Sequence, residues 1–394
     1  MRISRIDSLA ELSPRAWNAL QGTDNPFLRY EFLAALENHG CVGEDTGWIP
    51  HFLTAERDDT LIGAVPAYIK YHSFGEFVFD WAWASAYQNS GRPYYPKLVV
   101  AVPFTPITGP RILTAQASDS DKIAEALIQG TLDHARDLGV SSLHWLFIND
   151  RDAPRLEKHG LMRRSGCQFH WSNPGYGDFA DFLAGMSSEK RKKIKRERRH
   201  VAEAGIEFEI LSGAEIQESH WSAYYDFYQD TFWKKGNAGP LTYGFYMALG
   251  RDMPDNTLLI MARHNGRYVA GASFLRGRDT LYGRHWGCAE EFHSLHFETC
   301  YYQAIDYCIA QGLPRFEAGA QGEHKISRGF MPTPTWSAHW IQDRRFGAAI
   351  KDFLHREDKA VCDYIHEARR HSPYKTGAWP QPGAVPGEDR RTTA

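Results

Sequence analysis

The sequence predicts an α/β protein of two related halves, each a mixed, largely antiparallel sheet flanked by helices. Three observations carry that expectation. An approximate internal repeat is the first. Residues 53–68, LTAERDDTLIGAVPAY, and 260–275, IMARHNGRYVAGASFL, both read as an apolar strand, a polar tight turn and a second strand with a Gly-Ala pair, Gly63-Ala64 and Gly271-Ala272. The second is the order of elements after each hairpin, an amphipathic helix and then a short apolar strand. The third is size: 394 residues, 43% apolar and 13% aromatic, exceed one ordinary core and suffice for two.

Each element has its own reason. Asp58-Asp59 and Asn265-Gly266 between apolar runs are hairpin turns. A helix is expected over 121–138, with Ile123, Leu127, Leu132 and Leu138 inward and Gly139 as its stop, then a strand over 143–148. The second half repeats this with a helix over 296–311, Phe297, Tyr301, Ile305 and Ile309 on one face, Gly312 as stop and a strand over 315–318. Two inserts break the symmetry. Residues 71–111 hold Trp81, Trp83, Tyr87, Tyr94 and Tyr95 among Pro and Gly, too irregular for one helix or strand. Residues 190–199 hold eight Lys/Arg, in a helix expected over 187–204 with Ser187-Ser188 as its cap and only Ile194 and Val201 as an apolar seam. A terminal helix over 346–368 carries Phe346, Ile350, Phe353, Leu354, Val361, Tyr364 and Ile365 on one stripe. The expected domains are 1–170, with the aromatic insert, and 171–373, with the basic and terminal helices. From 374 a Pro-, Gly- and Thr-rich tail is expected to be mobile.

Composition excludes several classes. A net charge of −3 sets up no global field for nucleic acid, so any basic surface is local. Six Cys without a CxxC pair fit a reducing compartment rather than a disulfide framework. The N-terminus has no apolar signal core, and no run approaches the roughly 18 apolar residues of a membrane span. A cytoplasmic protein without a membrane span is expected.

Several blocks resemble one family: NPFLRYEFLAALENHG (25–40), YIKYHSFGEFVFDWAWASAY (68–87), YYPKLVVAVPFTPITGPRIL (94–113), KRKKIKRERR (190–199), LYGRHWG (281–287), HFETCYYQAIDYCI (296–309) and FEAGAQGEHKISRGF (316–330). They resemble the FemAB-like N-acyltransferases, a branch of the GNAT superfamily, over most of the chain up to about 340. The resemblance implies tandem GNAT-like (acyl-CoA N-acyltransferase) domains side by side with a cleft between them. It implies transfer of an acyl or aminoacyl group from an activated donor to an amine, on a small molecule or a wall precursor. Acyl-CoA is then the expected co-substrate, with no tightly bound cofactor. One departure bears on the donor. Ordinary GNAT enzymes hold the CoA pyrophosphate in an Arg/Gln-x-x-Gly-x-Gly/Ala turn at a helix N-terminus. Here CAEEFHSL precedes helix 296–311, without glycine and with two carboxylates. The nearest match, Arg163-Arg164-Ser165-Gly166-Cys167, sits between a short helix and a strand. Aminoacyl-tRNA, the donor of relatives that build peptidoglycan cross-bridges, therefore stays open, as does a non-catalytic protein binding an anionic ligand or wall fragment.

Acyl transfer to an amine needs a base, a donor to the oxyanion and a proton for the leaving group. The densest candidate set is Gln321, Glu323, His324 and Lys325, just past strand 315–318, where ligands collect in α/β sheets; a polar surface loop is the bland alternative. In the strand over 280–286, alternation puts Tyr282, Arg284 and Trp286 on one face and His285 on the other. Arg284 is either an anion clamp or half of an ion pair with Glu298 or Glu317, and His285 a substrate contact or a satisfied core histidine. Glu298 and Tyr302, at i and i+4, share a helical face; the resemblance makes Tyr302 a proton source for the leaving group. Glu317, on a strand between Phe316 and Ala318, is expected to be buried, with its pKa raised towards that of a useful base. In the aromatic insert His72, Tyr95, Lys97 and Arg111 are candidate contacts to an anionic acceptor, set against a packed cap. The basic run is either a solvated face or a phosphate contact, to CoA or to a tRNA backbone. His293, His296, Glu298 and Cys288 lack the spacing of a metal site, and no metal is expected.

Overall fold

The computed structural model describes residues 1–320 and 322–375. Gln321 and most of the tail expected to be mobile, 376–394, lie outside the described residues. The chain divides into two compact units, the first of Met1–Cys167, Pro240–Leu249 and Pro334–Ile365, the second of Gln168–Gly239, Gly250–Thr333 and His366–Ala394.

In the first unit, strands β1 (Arg2–Ile6), β2 (Trp48–Pro50), β3 (Phe52–Arg57), β4 (Thr60–Val65), β5 (Ala67–Lys70), β6 (Lys97–Val100), β7 (Leu113–Thr114) and β8 (Ser142–Ile148) alternate with helices α1 (Trp81–Asn89) and α2 (Ser120–Asp137). One sheet runs β1-β3-β4-β7, and β2, β5, β6 and β8 lie side by side in another. Pro66 separates β4 from β5. Having no N–H for a ladder, it ends one pairing and lets the chain change sheets. Ile123, Leu127 and Ile128 of α2 pack into the core with Leu53, Val65, Leu98 and Trp145. Strand β6 runs parallel to β8, Leu98 to Val100 beside Leu143 to Trp145.

The second unit receives the end of β9 (Met162–Ser172) and adds β10 (Ile206–Ser212), β11 (Thr257–His264), β12 (Arg267–Arg276), β13 (Thr280–Cys288) and β14 (Arg315–Glu317), with helices α3 (Ser188–Glu203), α4 (Glu218–Trp233) and α5 (295–310). The order is β10-β11-β12-β13-β14-β9. Strand β13 runs parallel to β14, joined through α5 as a parallel pair requires. Helix α4 lies so close on β13 that a Cβ at Gly287 would stand 1.9 Å from the Phe227 carbonyl oxygen, so only glycine fits there. The chain returns to the first unit in β15 (Met331–Ile341), antiparallel to β8, and ends in α6 (Arg344–Arg370).

The repeat is visible in the backbone. Asp58 and Asp59 in one hairpin, and Asn265 and Gly266 in the other, all have positive φ, the conformation a two-residue hairpin turn demands. Both hairpins slip register at the same place, between Ala55 and Glu56 and between Ala262 and Arg263. Each half then runs from hairpin to helix to a strand parallel to its neighbour.

Two expectations need correction. Most of the terminal helix, up to Ile365, belongs to the first unit and only its last turn to the second: Ile350 and Leu354 of α6 cluster with Trp83, Tyr87 and Tyr94 of the aromatic insert, because those rings present the apolar surface its stripe covers. The tail also starts later than 374. Tyr374 is buried and donates its hydroxyl to the Gly329 carbonyl at 2.8 Å.

Candidate active site in the second unit

The ladder between β13 and β14 stops at Tyr282–Glu317. Past that pair, Gly283 to Trp286 face an open wedge of about 110 Å³, closed by Ala272, Ser273 and Phe274 of β12, His296, Cys300 and Tyr301 of α5, and Ala318 after β14. Ligand crevices form where strands part in this way.

A bulge sets which side chains look into the wedge. Phe274 pairs with Gly283 but Ala272 with Trp286, so β13 carries one more residue than β12 across this step. The expected sharing of one face by Tyr282, Arg284 and Trp286 therefore fails for Tyr282 and Trp286, since the extra residue reverses the parity between them, while Arg284 and Trp286 both line the wedge. Trp286 faces His296, with ring centroids 5.2 Å apart, and His285 faces Tyr228 of α4 at 5.0 Å. Burial and the neighbouring Arg284 hold His285 well below the ordinary imidazole pKa.

Helix α5 has its own irregularity. Residues Glu298–Tyr302 form a π-helical turn, which rotates the following face away from ideal α-helical phase. Tyr302 is consequently not in the wedge. It is buried and donates to the Glu197 carboxylate of α3. Tyr301, expected on the core face, is buried in the core cluster and also lines the wedge, and its hydroxyl lies 2.9 Å from His324 Nε2. A π-turn leaves no composition signal, so the sequence does not show which of the two neighbouring tyrosines enters the wedge.

Electrostatics favour neutral bases here. Burial first, then His324, Arg328 and Lys325, pull His296 down to about 4. Burial, then Arg328, Lys325 and Lys193, lower His324 too. Lys325 is buried, donates to the Gly319 carbonyl at 2.8 Å, and is lowered by burial to about 8. Burial raises the Tyr301 phenol.

The other candidates fall elsewhere. Glu317 is buried beside His170 at 3.9 Å, outside the wedge lining. Glu323 is exposed on the 3-10 turn Glu323–Arg328. Glu298 does not pair with Arg284: it accepts from Arg198 of the basic helix at 3.0 Å and from Gln303 at 2.8 Å. That helix is thus no purely solvated face. Ile194 and Val201 are buried with Glu197 between them, Glu197 accepts from Arg328 at 2.8 Å, and Arg198 also reaches Asp306. His293 meets His200 instead of His296 or Glu298.

In the first unit the anion-site candidates are structural. Lys97 is fully buried and donates to Glu76 and Ser73 at 2.8 Å and to Asp80 at 2.5 Å. Arg111 is buried and donates to the carbonyls of Leu146, Ile107 and Pro110. His72 Nε2 lies 2.9 Å from the Thr46 carbonyl, and the Tyr95 hydroxyl 2.9 Å from Ser73. These side chains satisfy one another or the main chain, so an anionic acceptor would have to displace existing partners.

Comparison with known proteins follows this geometry. A family model described as FemAB-like, peptidoglycan biosynthesis/recognition, matches residues 8–376. No curated protein matches the sequence. Among solved structures, FemX is similar at 10% identity over 89% of this chain and 100% of its own, with a TM-score of 0.54. L-PGS from Bacillus licheniformis is similar at 11% identity over 83% and 96%, with a TM-score of 0.50. A tandem GNAT protein from the clavulanic acid biosynthesis pathway aligns at 10% identity over 86% and 98%, with a TM-score of 0.42. Among the described residues no helix is long and apolar enough to cross a membrane. With its repeated hairpin, helix and parallel strand, and a match over nearly its whole length, the chain belongs to the FemAB-like family and has an α/β fold similar to that of FemX.

Proposed function

We propose that the protein is an N-acyltransferase that moves an acyl or aminoacyl group onto an amine of a peptidoglycan precursor, with the chemistry in the β13–β14 wedge. One observation carries this reading: the parting strands enclose a cavity with Tyr301 in its wall, and the Tyr301 hydroxyl lies 2.9 Å from Nε2 of His324, an exposed side chain outside that lining. The acceptor nitrogen attacks the donor carbonyl, an N–C bond forms, and the C–S bond of a thioester or the C–O bond of an aminoacyl ester breaks. His324, kept neutral by its surroundings, takes the amine proton. Tyr301, protonated because it is buried, gives its proton to the departing thiolate or alkoxide and recovers one through His324. Arg284 faces the same space and holds an anionic part of donor or acceptor.

Acyl-CoA remains one donor of this scheme. Aminoacyl-tRNA is the second, favoured by the outer face of α3, where Lys192, Lys195, Arg196 and Arg199 are exposed and Lys193 is close enough to act on His324. The experiment is to incubate the full chain with a peptidoglycan-precursor peptide bearing a free amine and, separately, acetyl-CoA, longer acyl-CoA thioesters and a charged tRNA pool, reading adducts by mass. An adduct that Tyr301→Phe fails to make supports the site. Adducts made equally well by Tyr301→Phe and His324→Gln contradict it.

A further inference from the structure

The segment from Tyr71 to Trp81 turns the usual rule of burial inside out. Its five aromatic residues, Tyr71, Phe74, Phe77, Phe79 and Trp81, are between 40 and 67% exposed, while both of its acids, Glu76 and Asp80, are only 3% exposed. The acids fold inward onto Lys97, at 2.8 and 2.5 Å. What remains outside is an aromatic surface without a charged side chain of its own. An exposed patch of this kind marks a contact surface.

The rings are not waiting to fold inward, because their backbone is pinned from below. Buried Trp48 donates to the Phe74 carbonyl at 3.2 Å, and buried Lys70, stacked 3.8 Å over the Trp48 ring, donates to the same oxygen at 3.0 Å. Arg164 donates to the Phe79 carbonyl at 2.8 Å. Phe77 is held at φ 60°, a left-handed conformation that costs a bulky residue free energy and points to a surrounding structure that enforces it. The patch also runs into a groove. Trp81 forms one wall of a cavity of about 590 Å³ bounded by Ala84, Pro93, Tyr94 and Tyr95, a size that accepts an amphiphile.

We propose that the first unit docks on a lipid bilayer surface through this loop, with the five rings entering the headgroup region. Trp, Tyr and Phe favour that layer because they pair an apolar body with, in Trp and Tyr, a polar tip. Inward-turned carboxylates remove the repulsion that an anionic leaflet would exert on them. A continuous groove beside the patch suits a lipid chain or headgroup better than a flat protein partner. This inference stands apart from the transfer chemistry.

The test is co-sedimentation of the full chain with vesicles of phosphatidylcholine, and of phosphatidylcholine mixed with phosphatidylglycerol, at low salt and in 0.5 M NaCl. Binding to both compositions that persists at high salt is expected, since ring insertion is not screened. The triple variant Phe74→Ser/Phe79→Ser/Trp81→Ser should bind at least about tenfold more weakly, with unchanged circular dichroism. Phe74→Ser alone should weaken binding at least about threefold, a milder change that needs no tolerance of the triple variant. Absence of vesicle binding overturns the proposal, as does equal binding by wild type and variants. Binding only to anionic vesicles at low salt assigns the contact to the basic helix instead. A concentration-dependent dimer lost in the triple variant, without vesicle binding, assigns the patch to a second copy.

Discussion

The two halves share one construction and, apart from their inserts, differ in the gap between their parallel strands. In the second, β13 and β14 part after Tyr282–Glu317 and the gap stays open, lined by His296, Cys300 and Tyr301. In the first, β6 and β8 pair as far as Val100–Trp145, and the chain then fills the space itself: Gly109 bridges Ile148 in parallel, its N–H reaches Phe147, and Arg111 sends its guanidinium to Leu146, Pro110 and Ile107. The repeated scaffold thus leaves one wedge open and fills the other with core. Of the two cations weighed in the first half as either anion contacts or part of a packed cap, Arg111 fills this gap and Lys97 pairs with Glu76 and Asp80 of the aromatic insert.

This contrast is open to challenge by substitution, beginning with the largest effect. Filling the second wedge with Ala318→Phe should take transfer below detection while circular dichroism stays native; undiminished turnover would put the chemistry elsewhere. Tyr301→Phe should lower kcat about 100-fold, and Tyr302→Phe, one residue on, should leave kcat within about twofold and cost about 1–3 kcal/mol of stability through the buried Glu197 it abandons. Reversed effects would show that the π-turn has been given the wrong phase.

In the first half the expected currency is stability alone. Lys97→Met leaves Glu76 and Asp80 buried without their cation and should cost about 3–5 kcal/mol by denaturant unfolding, with substrate KM unchanged. A raised KM with normal stability would restore an acceptor site there. The pH profile should show the mildest effect. In the proposed scheme His324 acts as a base when unprotonated, and burial first, then Arg328, hold its pKa below the ordinary imidazole value, so kcat/KM should be flat at neutrality and fall on the acid side, by about tenfold per unit on the limb. His324→Gln should abolish the acid limb; an unchanged limb would release His324 from the role of base.

Much of the fold was legible because hairpins, helices and stops are local chemistry. Asn265-Gly266, the apolar spacing of 123–138 and Gly139 each announce themselves in a few residues. The site was less legible for a physical reason. Alternation and the i, i+4 rule assume ideal periods, and the wedge sits where both periods break, at the β13 bulge and at the π-turn of α5. Glu298 and Arg198 are far apart in sequence, and nothing local tells a carboxylate that its cation will come from the basic helix. Lys97 and Arg111 look alike as cations near aromatics; only the tertiary structure shows their charges already satisfied.

The most direct test of the open-and-closed contrast is amide hydrogen exchange on the full chain, with and without whichever donor yields an adduct. Slowed exchange confined to Gly283–Trp286 and the Tyr301 turn, with 101–111 and 146–148 unchanged, is the expected result. Slowed exchange in the 101–111 plug, with the β13 segment unaffected, would contradict the assignment of the site to the second half.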